Sequence, residues 1–111
     1  MIEQIVLDYM ESALDVPCYL MRPENVGDSY VMIEKTGGSE TNHIKRSTFA
    51  FQSYGKTLLE AAELNEEVKE AAYDLIGSPE VISSNYNTDY NFTSTAEKKP
   101  RYQTTFDIYH Y

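Results

Sequence analysis

The chain has 111 residues, with 18 acidic and 9 basic side chains, so its formal net charge is −9. This length fits one domain with a single hydrophobic core. The acidic excess argues against sequence-specific nucleic-acid binding, which depends on clustered Lys and Arg, and against docking onto an anionic membrane. With Cys18 as its only cysteine, the chain cannot form an internal disulfide or a thiolate metal cage.

The first half of the chain predicts one helix and three strands. Apolar residues recur at three- and four-residue steps from Ile2 to Leu14, which is the helical period, and Pro17 requires the helix to end before it. Gly37 and Gly38 predict a hairpin turn, because paired glycines supply the positive φ angles that such turns need. The predicted strands cover residues 16–21, 29–36 and 42–54. The predicted hairpin connection comprises Gly37, Gly38, Ser39, Glu40 and Thr41.

The second half predicts one helix and two strands. Thr57 and Glu60 have the spacing of a capping box, so we expect a helix to begin there. It is predicted to run to about Ile76, because Gly77-Ser78-Pro79 is a typical helix stop. The predicted strands cover residues 81–92 and 101–111.

Alternation of residue types predicts how these strands pack. In the strand over residues 81–92, one face is predicted to be buried and the other wet, as in an antiparallel sheet. The predicted buried face comprises Ile82, Ser84, Tyr86, Thr88, Tyr90 and Phe92. The element order α-β-β-β-α-β-β predicts a single α+β domain over residues 1–111, with two helices on one face of a mostly antiparallel sheet.

Acidic residues concentrate on the second predicted helix. On a helical wheel they cover about a third of the circumference, and Lys69, the only base between Thr57 and Ile76, points away from them. This acidic arc comprises Glu60, Glu63, Glu66, Glu67, Glu70 and Asp74. It is either a solvated face that keeps the protein soluble, or a surface that meets a basic partner or repels nucleic acid. Paired catalytic carboxylates need differing environments, which an exposed arc does not provide.

Basic residues cluster around Pro100. Lys98, Lys99 and Arg101 form a charged hairpin tip that prevents aggregation, or a patch that meets the acidic arc of another subunit. Pairing of two different surfaces in this head-to-tail manner generates rings.

Nothing in the sequence indicates an active site, a metal site or a cofactor site. His43 and His110 lack the spacing of zinc ligands and are expected at the surface or at strand ends, and Cys18 is expected in the core. No glycine-rich phosphate loop and no signal peptide or membrane span is present. We therefore expect a soluble, non-enzymatic protein without a cofactor or a metal. The ten tyrosines reflect either an interface or the preference of strands for aromatic residues.

Three stretches carry a family resemblance. They are residues 30–38 with His43-Ile44 and 51–54, residues 58–65, and residues 86–92 with the tyrosine-rich end. Together they resemble small structural proteins of the neck and tail of tailed phages and prophages, in particular the tail terminator, or tail-completion, proteins of long non-contractile tails. This likeness rests on general pattern and element order, without an invariant motif.

The resemblance implies an α+β subunit with the same element order and no catalytic motif. It implies a homo-oligomeric ring, a hexamer in this family, that caps the tail tube and joins it to the head connector. Its partners would be other copies of itself, the tail tube protein and the head-completion protein, in the host cytoplasm during assembly and then in the virion. The hairpin over Gly37–Thr41 is the candidate segment for reaching an axial partner.

Two questions stay open from the sequence. The acidic arc either lines a ring lumen that passes DNA or contacts Lys98, Lys99 and Arg101 of a neighbouring subunit. The alternative to a ring is a small acidic inhibitor, similar to a DNA mimic, that binds a basic host protein and stays monomeric.

Overall fold

Two helices form close to the predicted positions. A computed structural model describes residues 1–94 and 96–111. Helix α1 spans Ile2–Ala13 and helix α2 spans Leu58–Tyr73. Thr57 caps α2, because its Oγ1 accepts a hydrogen bond from the backbone N–H of Glu60 at 3.1 Å. Helix α2 ends earlier than predicted: a 3₁₀ turn over Asp74–Gly77 follows it and keeps Leu75 buried while the chain turns towards the next strand.

Five strands form one sheet. They are β1 (Cys18–Tyr19), β2 (Tyr30–Thr41), β3 (Ile44–Tyr54), β4 (Val81–Asn91) and β5 (Arg101–His110). Their spatial order is β1-β2-β3-β5-β4, with β1 parallel to β2 and every other pair antiparallel. The predicted α+β class and the mostly antiparallel sheet are therefore confirmed.

The position of the first hairpin turn was predicted wrongly. Strand β2 continues through Gly37 and Gly38, neither of which has a positive φ, as far as Thr41. The turn is formed instead by Asn42 and His43, with φ angles of 51° and 66°. Two-residue hairpin loops with positive φ at both positions match the twist of the flanking strands, and Asn tolerates this conformation better than most residues. The glycines instead follow a bulge between Lys35 and Gly37.

The hydrophobic core lies between the sheet and both helices, which confirms that they share one face. Helix α1 contributes Ile2, Val6 and Met10, and these side chains belong to the same cluster as those of α2 and the sheet. The largest fully buried members on the sheet side are Phe49, Phe51, Phe106, Ile33 and Ile108. Burying a side chain of this size stabilises the fold by about 1.5–3 kcal/mol.

Two register shifts in β4, the first between Val81 and Ser83, overturn part of the predicted buried face of that strand, although Ser84 and Tyr86 lie on the predicted side. Between Tyr86 and Thr88 the pairing with β5 slips by one residue. Consequently Tyr86 and Asp89 lie on the face covered by α2, whereas Tyr90 lies on the opposite face and accepts a hydrogen bond from Gln103 at 2.8 Å. One inserted residue exchanges the two faces of a strand, so strict alternation gives the wrong assignment from Thr88 onward.

Candidate functional site

The acidic arc is exposed along its whole length, as predicted. Its first five members lie on α2, and Asp74 begins the 3₁₀ turn. Glu60 is used locally, since its Oε2 accepts a hydrogen bond from the Lys56 backbone N–H at 3.1 Å. The prediction that Lys69 points away from the arc is wrong: its Nζ lies 3.2 Å from Glu66 Oε1 and 3.2 Å from Asp89 Oδ2, and so links the arc to β4.

The far end of the arc forms an acidic groove, which we define as the cavity of about 220 Å³ between the end of α1 and the second half of α2. Its charged lining residues are Asp15, Glu67, Glu70 and Asp74, and the others are Ala13, Leu14 and Ala71. Four carboxylates therefore face one small volume, and no cationic side chain of the described residues lines it. Each like-charge pair at helical neighbour spacing costs about 0.2–0.5 kcal/mol, which the cations of a partner would relieve.

The predicted basic cluster divides into two parts. Lys98 and Lys99 are exposed in the connection between β4 and β5. Arg101 instead begins β5, where its Nε donates to the Phe92 carbonyl at 2.6 Å and a terminal guanidinium nitrogen donates to the Tyr54 hydroxyl at 2.7 Å. Its guanidinium carbon also lies 4.5 Å from the centre of the Phe92 ring. Arg101 therefore holds the base of the connection, and only the two lysines are available at its tip.

These two lysines border a second cavity, which we name the basic pocket. It has a volume of about 270 Å³, and Lys56, Lys98 and Lys99 line it together with Asp28 and Tyr30. Lys56 immediately precedes Thr57, the cap of α2, so the pocket lies at the amino end of that helix. The sequence did not reveal the role of Lys56, because 42 residues separate it from Lys98 and only the adjacency of β3 and β5 joins them.

Tyr30 lines the basic pocket and carries a buried hydroxyl. The side chain is 1% exposed, its ring stacks on that of Tyr54 with centres 4.4 Å apart, and its hydroxyl has no hydrogen-bond partner among the described residues. This hydroxyl raises the pKa of Arg22 through a polar contact. The contact does not reach hydrogen-bonding geometry. Leaving a buried polar group unpaired costs about 1–3 kcal/mol, and a ligand acceptor that came within reach of this hydroxyl would remove that cost.

The acidic groove and the basic pocket lie at opposite ends of α2. The pocket is formed just before the first turn of the helix, and the groove involves its last two turns. Between Leu58 and Glu67, the first groove residue on the helix, α2 rises by about 14 Å at 1.5 Å per residue. The two surfaces therefore cannot contact each other within one subunit, although their charges are complementary.

The segment Gly37–Thr41 lies away from both surfaces. Its residues are exposed on β2 instead of in a free hairpin, and Gly38, Ser39 and Glu40 line a cavity of about 680 Å³ with the start of α1 and with His110. An axial contact by this segment remains a prediction. The hairpin tip itself is Asn42-His43.

A buried pair between Ser47 and His110 was missed by sequence reasoning. Ser47 Oγ lies 2.8 Å from His110 Nε2, and His110 Nδ1 lies 3.1 Å from the backbone oxygen of Tyr111. Because that oxygen can only accept, Nδ1 carries the proton and Ser47 donates to Nε2. His110 is the last residue of β5, which agrees with the expected strand-end position, but it is 5% exposed and so does not lie at the surface. Burial lowers its pKa below the usual 6.5, with a further contribution from Lys45.

A second polar cluster joins α2 to β4 around Asp89. This carboxylate accepts hydrogen bonds from Asn65 at 2.9 Å, from Lys69 at 3.2 Å and from the Tyr86 hydroxyl. These contacts, led by that of Tyr86, lower the pKa of Asp89. The cluster fixes the edge strand β4 against the helix. Sequence alternation could not reveal it, because it depends on the register shift before Thr88.

Cys18 and His43, the remaining candidates for chemistry, belong to no site among the described residues. Cys18 is buried, as expected, and its pKa is raised to about 11 by burial and then by Glu11. His43 is exposed in the hairpin turn. Among residues 1–94 and 96–111, no three His, Cys, Asp or Glu side chains are grouped so as to hold a metal ion. No helix in this part of the chain is both long and apolar enough to cross a membrane.

The chain matches no protein-family model, and a search of curated proteins finds no similar sequence. Its fold, its charges and its cavities are therefore the basis on which a function is proposed.

Proposed function

We propose that this chain is a ring-forming structural protein of a tailed-phage or prophage virion. In this role it caps the tail tube as a tail terminator or neck component and joins the tube to the head connector. The ring is homo-oligomeric and has six copies, as the family resemblance implies. Its faces contact the tail tube protein and the head-completion protein, and the chain carries out no catalysis.

The separation of opposite charges is the observation that carries this proposal. The acidic groove presents four carboxylates, and the basic pocket presents three lysines against one aspartate. Since about 14 Å of helix, from Leu58 to Glu67, separates the two surfaces, each can be neutralised only by another molecule. Contacts between two different surfaces of identical subunits form rings when the rotation closes, which supports an annular assembly. The α+β fold agrees with the element order that the resemblance implies.

The acidic groove supports a subunit interface, and not the wall of a ring lumen, as the role of the acidic arc residues that line it. Glu67, Glu70 and Asp74 face a concave space with Asp15, where a neighbour's lysine side chains can enter. A lumen wall needs no such cavity. Lys98 and Lys99 suit this role because they are exposed and belong to a connection outside the sheet. Arg101 suits it less, because its guanidinium already donates to the Phe92 carbonyl and the Tyr54 hydroxyl.

Charge reversal tests the interface. In wild-type protein we expect annular particles in negative-stain electron microscopy and an oligomer in sedimentation velocity, weakened by salt. The double variant Lys98→Glu/Lys99→Glu is expected to lose the rings. Lys45→Glu/Arg46→Glu, which changes the net charge equally at exposed positions, is the matched control and is expected to retain them. Adding Glu67→Lys and Glu70→Lys to the first variant is expected to restore assembly.

Two outcomes would count against the proposal. If both double variants assemble like the wild type, the two charged surfaces do not form the interface. If wild-type protein stays monomeric at every concentration, even with a tail tube protein present, the ring is refuted. That second outcome favours the alternative, an acidic binding module acting on a basic host protein, which the full exposure of the acidic arc also permits. The phage assignment is tested separately by whether the gene lies beside a major tail protein gene.

A further inference from the structure

The basic pocket is unusual for a chain with a net charge of −9. Its lining carries three ammonium groups, from Lys56, Lys98 and Lys99, and a single carboxylate, from Asp28. Arg22 lies near the same place, because it makes a polar contact with Tyr30. The amino end of α2 adds the positive end of its macrodipole. The local electrostatic field therefore attracts an anion, while the rest of the surface repels polyanions.

Tyr30 supplies a second and independent feature of a binding site. Its ring is held in place on both sides: it stacks on Tyr54 at an angle of 11°, and the Tyr19 ring lies 6.0 Å away. Tyr54 is fixed in turn by the hydrogen bond from Arg101. The buried Tyr30 hydroxyl is therefore a positioned donor without an acceptor among the described residues. Lining cations together with a preorganised O–H donor match the needs of an oxyanion.

We propose that the basic pocket binds a single oxyanion, a phosphate or a carboxylate group, with Tyr30 donating a hydrogen bond and Lys56, Lys98 and Lys99 supplying the charge. The volume of about 270 Å³ has room for one such group and lies below the range typical of drug-sized ligand sites. The oxyanion has two possible sources. It is a free phosphate, or it is a carboxylate from the acidic groove of a second copy, and this second source rests on the proposed function.

Titration with inorganic phosphate tests the pocket directly. We expect saturable chemical-shift changes in the backbone amides of Gly55, Lys56, Lys98 and Lys99 in ¹H–¹⁵N spectra, at constant ionic strength set with sodium chloride. The Tyr30→Phe variant removes only the hydroxyl and keeps the stacked ring. It is expected to bind phosphate about tenfold more weakly, since it loses one hydrogen bond to a charged group. Tyr109→Phe, at an exposed position, is the matched control and is expected to bind like the wild type.

Stability without a ligand gives a second readout. Because the Tyr30 hydroxyl is unpartnered, Tyr30→Phe is expected to leave the melting temperature of the phosphate-free protein unchanged or raised. Phosphate is expected to raise the melting temperature of the wild type more than that of the variant. The absence of saturable shifts overturns the proposal, and so does equal phosphate affinity in Tyr30→Phe and the wild type.

The two sources give different results for assembly. If a carboxylate of a second copy fills the pocket, phosphate competes with it and dissociates the oligomer at an ionic strength where sodium chloride does not. If free phosphate is the ligand, the sedimentation coefficient stays constant while the amides shift. A monomeric wild-type protein that still binds phosphate would refute the ring and leave the oxyanion pocket intact, so the two proposals fail independently.

Discussion

Gly55 lies where strand β3 meets helix α2, and replacing it by alanine tests how tightly these elements pack. The glycine is buried, and its N–H donates to the Pro100 carbonyl at 3.2 Å. A Cβ at this position would lie 2.5 Å from the backbone nitrogen of Ala61 and 2.9 Å from the carbonyl carbon of Glu60. Both atoms belong to the α2 backbone and cannot rotate away, so the helix would have to move.

The expected magnitude follows from two opposing effects. Gly55 has no positive φ, so alanine fits its conformation and restricts the unfolded chain, which stabilises by about 0.4–1 kcal/mol. Overpacking against the α2 backbone costs about 1–3 kcal/mol. We therefore expect Gly55→Ala to lower the free energy of unfolding by about 1–2 kcal/mol. Gly77→Ala is the matched control, since a Cβ there meets nothing within 4 Å.

Urea unfolding followed by far-UV circular dichroism and tyrosine fluorescence measures both variants, since the chain has ten tyrosines and no tryptophan. Gly55→Ala is expected to lower the urea midpoint by about 1 M at an unchanged slope. Gly77→Ala is expected to match or exceed the wild type. A Gly55→Ala midpoint equal to or above that of the wild type would show that α2 does not pack as closely on this position as the distances indicate.

Three further predictions concern stability and reactivity. Because the pKa of buried His110 is lowered, the folded state loses stability as the pH falls below about 6.5. Between pH 7 and pH 5, chemical unfolding is expected to show a larger loss of unfolding free energy in the wild type than in His110→Gln. Equal losses in the two proteins would refute this prediction. Cys18, with a pKa of about 11, is expected to react with a disulfide reagent about tenfold more slowly in the folded than in the urea-unfolded protein, and similar rates would contradict its burial. Thr57→Ala is expected to cost about 0.5–2 kcal/mol in urea unfolding, with Thr57→Ser as the control that retains the cap.

Local signals in the sequence were sufficient for the helices and the fold class. The capping spacing of Thr57 and Glu60 fixed the start of α2, and the helical period from Ile2 placed α1. The same helical period, applied to α2, predicted that the acidic arc is exposed. These features depend on residues within one or two turns of each other, so a single sequence contains them.

The position of the β2–β3 turn and the assignment of the two faces of β4 depended on how the strands pair. The glycine pair gave a misleading turn signal because β2 and β3 pair as far as Thr41 and Ile44, which leaves Asn42 and His43 to reverse the chain. In β4, one inserted residue before Thr88 exchanged the faces of the strand. A register shift of one residue leaves composition and local alternation unchanged, so the sequence does not reveal it.

What the sequence determined by itself was the acidic excess, its arc on α2 and the order of helices and strands. Only the tertiary structure decided which of these charges meet. It bonded Arg101 of the basic cluster to Tyr54, which is 47 residues away, and it placed Lys56 beside Lys98 and Lys99 in a pocket that Tyr30 also lines. The physical reason is that charge and hydrogen bonding act over a few ångströms in space, and in a sheet those neighbours come from distant parts of the chain.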